Sequence, residues 1–195
     1  ITTNNYYVTP NILKRAGEET QFEELTQLSI DLAKEASKNY EVLVAGSFPP
    51  IETSFRPDLT PKDEELCQFY SSIGSIMENQ VDLILCETMS SIREGIQAAS
   101  TAKQYSERVW LSWTTRGLNG EALPSGESLI NAINAANELN IECQLINCVS
   151  MDLVTAQINT LKLAGKFGVF ANSCVLKNSI NDLGEAFDID ENHHA

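Results

Sequence analysis

Positive charge is scarce in this chain, with 13 Lys and Arg against 27 Asp and Glu, a formal net charge of −14 and a pI near 4.4. Binding to a phosphate backbone needs basic patches that release counterions, so the balance excludes a nucleic-acid partner. No apolar run approaches the roughly 18 residues needed to cross a bilayer, and no charged-then-apolar signal opens the chain. The expectation is a cytoplasmic protein with no membrane partner. There are only two histidines, His193 and His194, adjacent in a polar tail where such pairs are usually solvated rather than ligating. Neither follows a strand, which excludes a Ser-His-Asp triad. Neither GxGxxG nor GxxxxGK[ST] occurs, which removes the usual dinucleotide and phosphate cradles. The five cysteines, Cys67, Cys86, Cys143, Cys148 and Cys174, include no CxxC pair. Free thiols follow, and a metal could be held only by ligands from separated strands. No internal repeat or linker marks a second domain, so residues 1–195 read as one domain.

What the chain does have is alternation. Short β-branched apolar runs at 1–4, 42–46, 81–86, 109–113, 142–147 and 167–171 alternate with amphipathic stretches at 22–37, 62–79, 91–105, 127–140 and 153–164. This is the pattern of repeated strand-helix units and a parallel sheet. The loops after strands, 47–60 and 114–125, are longer than those before them, and in such folds loops that follow strands build the active site. The tail from Val175 loses periodicity and leads to no further element, so the chain reads as a portion of a longer protein.

Two strand ends carry chemistry. Cys148 closes the run Leu145-Ile-Asn-Cys148, and Cys86-Glu87-Thr88 closes an earlier one. Strand ends of alternating strand-helix folds converge on one face, which would bring thiol and carboxylate together. Taken alone, Cys148 is more often a packing residue, Cys143 reads as core, and Cys86 should point away from Glu87 because strand side chains alternate. Cys174 reads as a loop thiol. Glu87 at the end of an apolar strand needs a partner. The plain choice is Arg56, Arg93 or Arg116, and the functional one is a substrate ammonium.

The ordered set Ile1-Thr-Thr-Asn-Asn-Tyr-Tyr-Val-Thr-Pro10, Val44-Ala-Gly-Ser-Phe-Pro-Pro50, Ser54-Phe-Arg-Pro-Asp58, Asp82-Leu-Ile-Leu-Cys-Glu-Thr88 with Glu94, Leu111-Ser-Trp-Thr114, Ile146-Asn-Cys148 and Ala171-Asn-Ser173 resembles the homocysteine S-methyltransferase family. The resemblance implies a TIM-type (β/α)8 barrel of which this chain holds strands two to seven, lacking the family's first and last motifs. It implies methyl transfer from a methylsulfonium donor, S-methylmethionine or S-adenosylmethionine, to a zinc-bound homocysteine thiolate, giving methionine. By resemblance Cys148 is a zinc ligand, with the other two expected cysteines outside this chain. Glu87 holds the homocysteine amino group, Thr3 lies near the substrate, and Tyr7 lies beside the donor's approach. Oligomeric state stays open. The competing expectations are another barrel enzyme, which would want a strand-end lysine or a phosphate site, and a non-catalytic small-molecule-binding relative unable to hold zinc.

Overall fold

The computed structural model describes residues 1–172. Its sheet is formed by β1 (Ala45–Phe48), β2 (Leu83–Met89), β3 (Val109–Trp113), β4 (Cys143–Ser150) and β5 (Phe167–Asn172), in the order β1-β2-β3-β4-β5 with each neighbouring pair parallel. The helices are α1 (Pro10–Ala16), α2 (Phe22–Ser37), α3 (Asp63–Met77), α4 (Ile92–Ala102), α5 (Leu129–Glu138) and α6 (Met151–Leu161). Sequential parallel order is what short right-handed crossovers produce.

Two expectations need correction. The run at 1–4 is reduced to a single parallel bridge, Thr2 to Ala45. The Ala45 N–H donates to the Ile1 carbonyl (2.8 Å) and the Thr3 N–H to the Ala45 carbonyl (2.9 Å). Pairing stops there because the Thr3 hydroxyl donates to Asn5 Oδ1 (2.6 Å) and the Val8 N–H closes a turn on the Asn5 carbonyl (2.9 Å). The chain then enters α1, which the apolar pattern did not reveal. Its end signals are nonetheless present: Pro10 in the first turn and Gly17 at φ 76° just past the end.

Strand alternation divides the sheet into two unlike faces. Phe48, Ile84, Cys86, Leu111, Trp113 and Ile146 join one buried cluster with Ile30 of α2, Tyr70 and Ile73 of α3, Ala98 and Ala99 of α4, Ile133 of α5 and Val154 of α6. The register Ser47↔Leu85, Leu85↔Trp110 and Ser112↔Leu145 puts Ser47, Glu87, Ser112 and Asn147 together on the other face, near the strands' C-terminal ends. Helix packing is close where it meets the sheet. A Cβ on Gly95 of α4 would stand 2.5 Å from the ring of buried Trp113, so glycine there lets helix and strand approach. At the strands' N-terminal ends Glu142 bridges Arg108 (3.0 Å) and Lys166 (2.7 Å), and these bonds hold its carboxyl down to about 2.

Candidate functional site

β2 and β4 end alike. Pairing slips between Cys86 and Met89 on the first and between Asn147 and Ser150 on the second, and each slip holds a non-glycine residue in the left-handed region, Thr88 at φ 60° and Cys148 at φ 57°. Such bulges re-aim side chains at strand ends, and left-handed backbone in a β-branched residue is costly enough to need outside support. Asn147 supplies it. Its Oδ1 accepts from the Thr88 N–H (3.2 Å) and the Ser112 hydroxyl (2.6 Å), while its Nδ2 donates to Thr88 Oγ1 (2.7 Å) and Cys148 Sγ (3.3 Å). The two acceptor contacts fix which end of the amide is oxygen. One buried side chain thereby ties β2, β3 and β4 together and faces its donors toward the thiol.

Cys148 is half-buried, with Thr88 Oγ1 3.8 Å from its sulfur. Burial pushes its thiol up; the contact with Thr88 opposes this, the charge of Glu87 reinforces it, and the Asn147 bond opposes it. Glu87 is also half-buried, and among the described residues its one hydrogen-bond partner is the Ser47 hydroxyl. Burial raises its carboxyl above the ordinary range and the Ser47 bond pulls the other way. No cation pairs with it among the described residues. Arg56 pairs with Asp58 (2.6 Å) and Arg93 with Asp63 (2.8 Å), and none of Arg56, Arg93 and Arg116 forms an ion pair with Glu87.

Cys86 is fully buried on the helix face and Cys143 is buried, as their positions led us to expect. Thr3 is buried and wholly engaged, donating to Asn5 and accepting the Ser47 N–H (2.8 Å), so it touches the site through Ser47. Tyr7 is nearly half exposed and meets the Tyr6 ring edge-on at 5.2 Å. Beside it the Tyr6 hydroxyl bonds Ser54, and burial pushes the Tyr6 phenol up, opposed by Ser54 and Thr88 and reinforced by the charges of Cys148 and Glu87. Tyr6, Ser47, Ser112 and Asn147 went unremarked as site residues in the sequence. A signal for the last three was there, since each is a polar residue at an alternate position of an otherwise apolar strand.

The loop over the site is clamped from α4. Ser91 caps the helix, accepting the Glu94 N–H (3.3 Å), while the Glu94 carboxylate turns away to accept the Ile51 N–H (3.2 Å) and the Thr60 hydroxyl (3.2 Å). Arg93 donates to the carbonyls of Pro61 (2.7 Å) and Thr60 (3.0 Å). A cleft of about 430 Å³ lined by Asn79, Asp82, Lys103 and Arg108 lies at the other end of the strands, away from these groups.

As to metal, the described residues gather no group of three His, Cys, Asp or Glu side chains. Cys148 stands as one soft donor, and a zinc site needs three or four, so the described residues do not fit a complete zinc site. Cys174, His193 and His194 lie outside the described residues.

The family model for homocysteine S-methyltransferase matches residues 1–195, the whole chain. The chain belongs to the homocysteine S-methyltransferase family. Among solved structures it is similar to the homocysteine methyltransferase MmuM from Escherichia coli in its metallated form, with 22% identity, a TM-score of 0.68, and coverage of 88% of this chain and 74% of that one. The oxidised form gives 21% identity and 0.68 over the same shares, and the apo form 20% and 0.60 over 78% and 70%. At such identities the likeness is one of fold. No match was found among curated proteins. Within the homocysteine S-methyltransferase family frame, Glu87 on β2 and Cys148 on β4 occupy the same end of the parallel sheet, with β3 between them.

Proposed function

We propose that the chain carries the amino-acid-binding half of a homocysteine S-methyltransferase, moving a methyl group from a methylsulfonium donor, S-methylmethionine or S-adenosylmethionine, to the sulfur of homocysteine. The observation that carries this reading is Glu87, a half-buried carboxylate with a raised pKa and, among the described residues, a single hydroxyl partner and no cation. A carboxylate so placed is costly until an ammonium arrives, and the family acts on an amino acid that brings one. The Ser47 hydroxyl keeps the carboxylate aimed, with Thr3 and Asn5 fixing the Ser47 backbone from below. With the amino group on Glu87, the substrate's thiol end is directed along the β2–β4 end toward Cys148, and Tyr7 borders the donor's approach. In the transfer a new S–CH3 bond forms, the donor's S–CH3 bond breaks with its electron pair kept by the donor sulfur, and the thiol proton is released. Orientation of sulfur and methyl in line accounts for much of the acceleration such sites provide.

Zinc, the cofactor the family resemblance implies, would find one ligand in Cys148. The described residues bind and orient without completing that site. The sheet supports the expected (β/α)8 barrel with residues 1–195 as one part-domain: the strands run in unbroken sequential order and the helices cluster on one face, whereas a doubly wound sheet reverses order and is covered on both. The deciding experiment supplies homocysteine with S-methylmethionine, S-adenosylmethionine or betaine and measures methionine. The sulfonium donors should yield it; no methionine from any donor overturns the reading.

A further inference from the structure

We propose that Ser47 is a positioning residue of the amino-acid site, whose hydroxyl holds one oxygen of the charged Glu87 carboxylate and leaves the other to the substrate ammonium. This deepens the function proposed above and rests on it. Ser47 lies on β1, fully buried, and owes its place to side chains that continue the sheet where main-chain pairing ends. Ile1 and Thr3 pair with Ala45 through their backbones, and one step further along the Ser47 N–H donates to Thr3 Oγ1 (2.8 Å) while Asn5 Nδ2 donates to the Ser47 carbonyl (3.0 Å). Thr3 in turn donates to Asn5 Oδ1 (2.6 Å), which fixes the orientation of the amide. Both backbone groups of Ser47 are thus held on this edge, and its hydroxyl donates to Glu87 Oε1 on the neighbouring strand.

A hydroxyl suits a carboxylate that must stay charged without being neutralised. Burial works against the charged form of Glu87, and among the described residues the Ser47 bond is what opposes it. A cation in the same position would stabilise the charge further but would compete with the incoming ammonium, whereas a hydroxyl leaves the full charge for the ligand. Of the roughly four acceptor positions on a carboxylate the bond takes one, and the remainder suit the N–H donors of an ammonium. The titratable groups that feel the charge of Glu87 are the Tyr6 phenol from the turn before α1, the Cys148 thiol from β4 and the Cys86 thiol on the opposite face of β2. β1 and β3 face it with Ser47 and Ser112, which carry no charge. Burial raises the phenol and both thiols, so none of them changes charge between about pH 5 and pH 8, and a pH dependence in that range belongs to Glu87.

The test compares L-homocysteine with 4-mercaptobutanoate, the same molecule without its amino group, by calorimetry on the full chain across that pH range. The unaltered protein should prefer homocysteine by roughly 10- to 100-fold, the range for a hydrogen bond to a charged group, and the preference should fall as pH drops. Ser47→Ala should remove about tenfold of that preference at the acid end and displace its fall to higher pH, while 4-mercaptobutanoate binds no more weakly than before. In a Glu87→Gln background, where the carboxylate is already gone, Ser47→Ala should change the affinity for neither ligand. An unchanged preference and profile in Ser47→Ala, a loss that is uniform across pH, or an equal loss in the Glu87→Gln background overturns the positioning role and leaves the proposed function standing. An unaltered protein with no preference for the amine, or one that binds neither thiol, overturns both.

Discussion

At the residue scale the site is governed by which polar groups have partners. Among the described residues Glu87 has one hydroxyl and no cation, whereas Asn147 has every hydrogen-bonding position filled. The first is the signature of a group waiting for a ligand, the second of a group that holds structure. Glu87→Ala should weaken homocysteine binding by about 1.5–3 kcal/mol, the worth of a charged hydrogen bond, measured by calorimetry with the fold checked by circular dichroism. Unchanged affinity would remove Glu87 from the site. The pH dependence follows from its raised carboxyl: ammonium binding needs the ionised form, so affinity should fall as pH drops through that raised value, and Glu87→Gln should flatten the profile. In a zinc-loaded enzyme that holds the other two expected cysteines, Cys148→Ala should abolish nearly all methyl transfer, and full activity in that variant would show the thiol to be mere packing.

At the scale of elements, the functional ends of β2 and β4 are distorted and the helix that follows β2 holds the loop above them. Glu94 is almost wholly buried, and burial raises its carboxyl despite bonds from the Ile51 N–H and the Thr60 hydroxyl. The folded protein therefore binds a proton there more tightly than the unfolded chain. Its contribution to stability is fully present below the unfolded value of about 4.3 and is lost as pH rises through the raised folded value. Glu94→Gln should thus lose less stability than the parent between about pH 4 and pH 7 in parallel urea titrations. An identical pH slope would mean that the carboxyl is not strained by burial. The seating of α4 on β3 gives a second expectation. Gly95→Ala should raise helix propensity yet destabilise the protein by about 1–3 kcal/mol, because the added methyl overlaps the buried Trp113 ring. A variant as stable as the parent would show that the ring can shift.

At the scale of the whole molecule, one face of the sheet is covered by helices and the other carries the polar site. At the far edge Phe170 of β5 is 75% exposed on the same face as Glu87 and Asn147, so the described strands leave that side open. The metal expectation belongs at this scale, since no set of ligands gathers among the described residues. The 195-residue polypeptide should bind zinc weakly, because one thiolate cannot supply the affinity of three. Equilibrium dialysis checks this. Tight stoichiometric zinc would refute the ligand set built on Cys148 and direct attention to Cys174 or the histidine pair.

The sequence by itself determined the parallel strand-helix alternation and the placing of Glu87 and Cys148 at strand ends. Both are carried by local periodicity: apolar runs of fixed spacing must bury themselves as sheet and helix, whatever their neighbours. It also determined the split between Cys86 and Glu87, because strand side chains alternate. The tertiary structure alone decided that residues 1–4 keep a single bridge, that the Tyr6 hydroxyl bonds Ser54, and that Asn147 joins three strands. Those outcomes depend on register and on left-handed bulge residues, which arise when separate segments meet and have no period along the chain. The lack of a cation beside Glu87 among the described residues belongs with them, since the pairing of Arg56 with Asp58 and of Arg93 with Asp63 shows only in three dimensions.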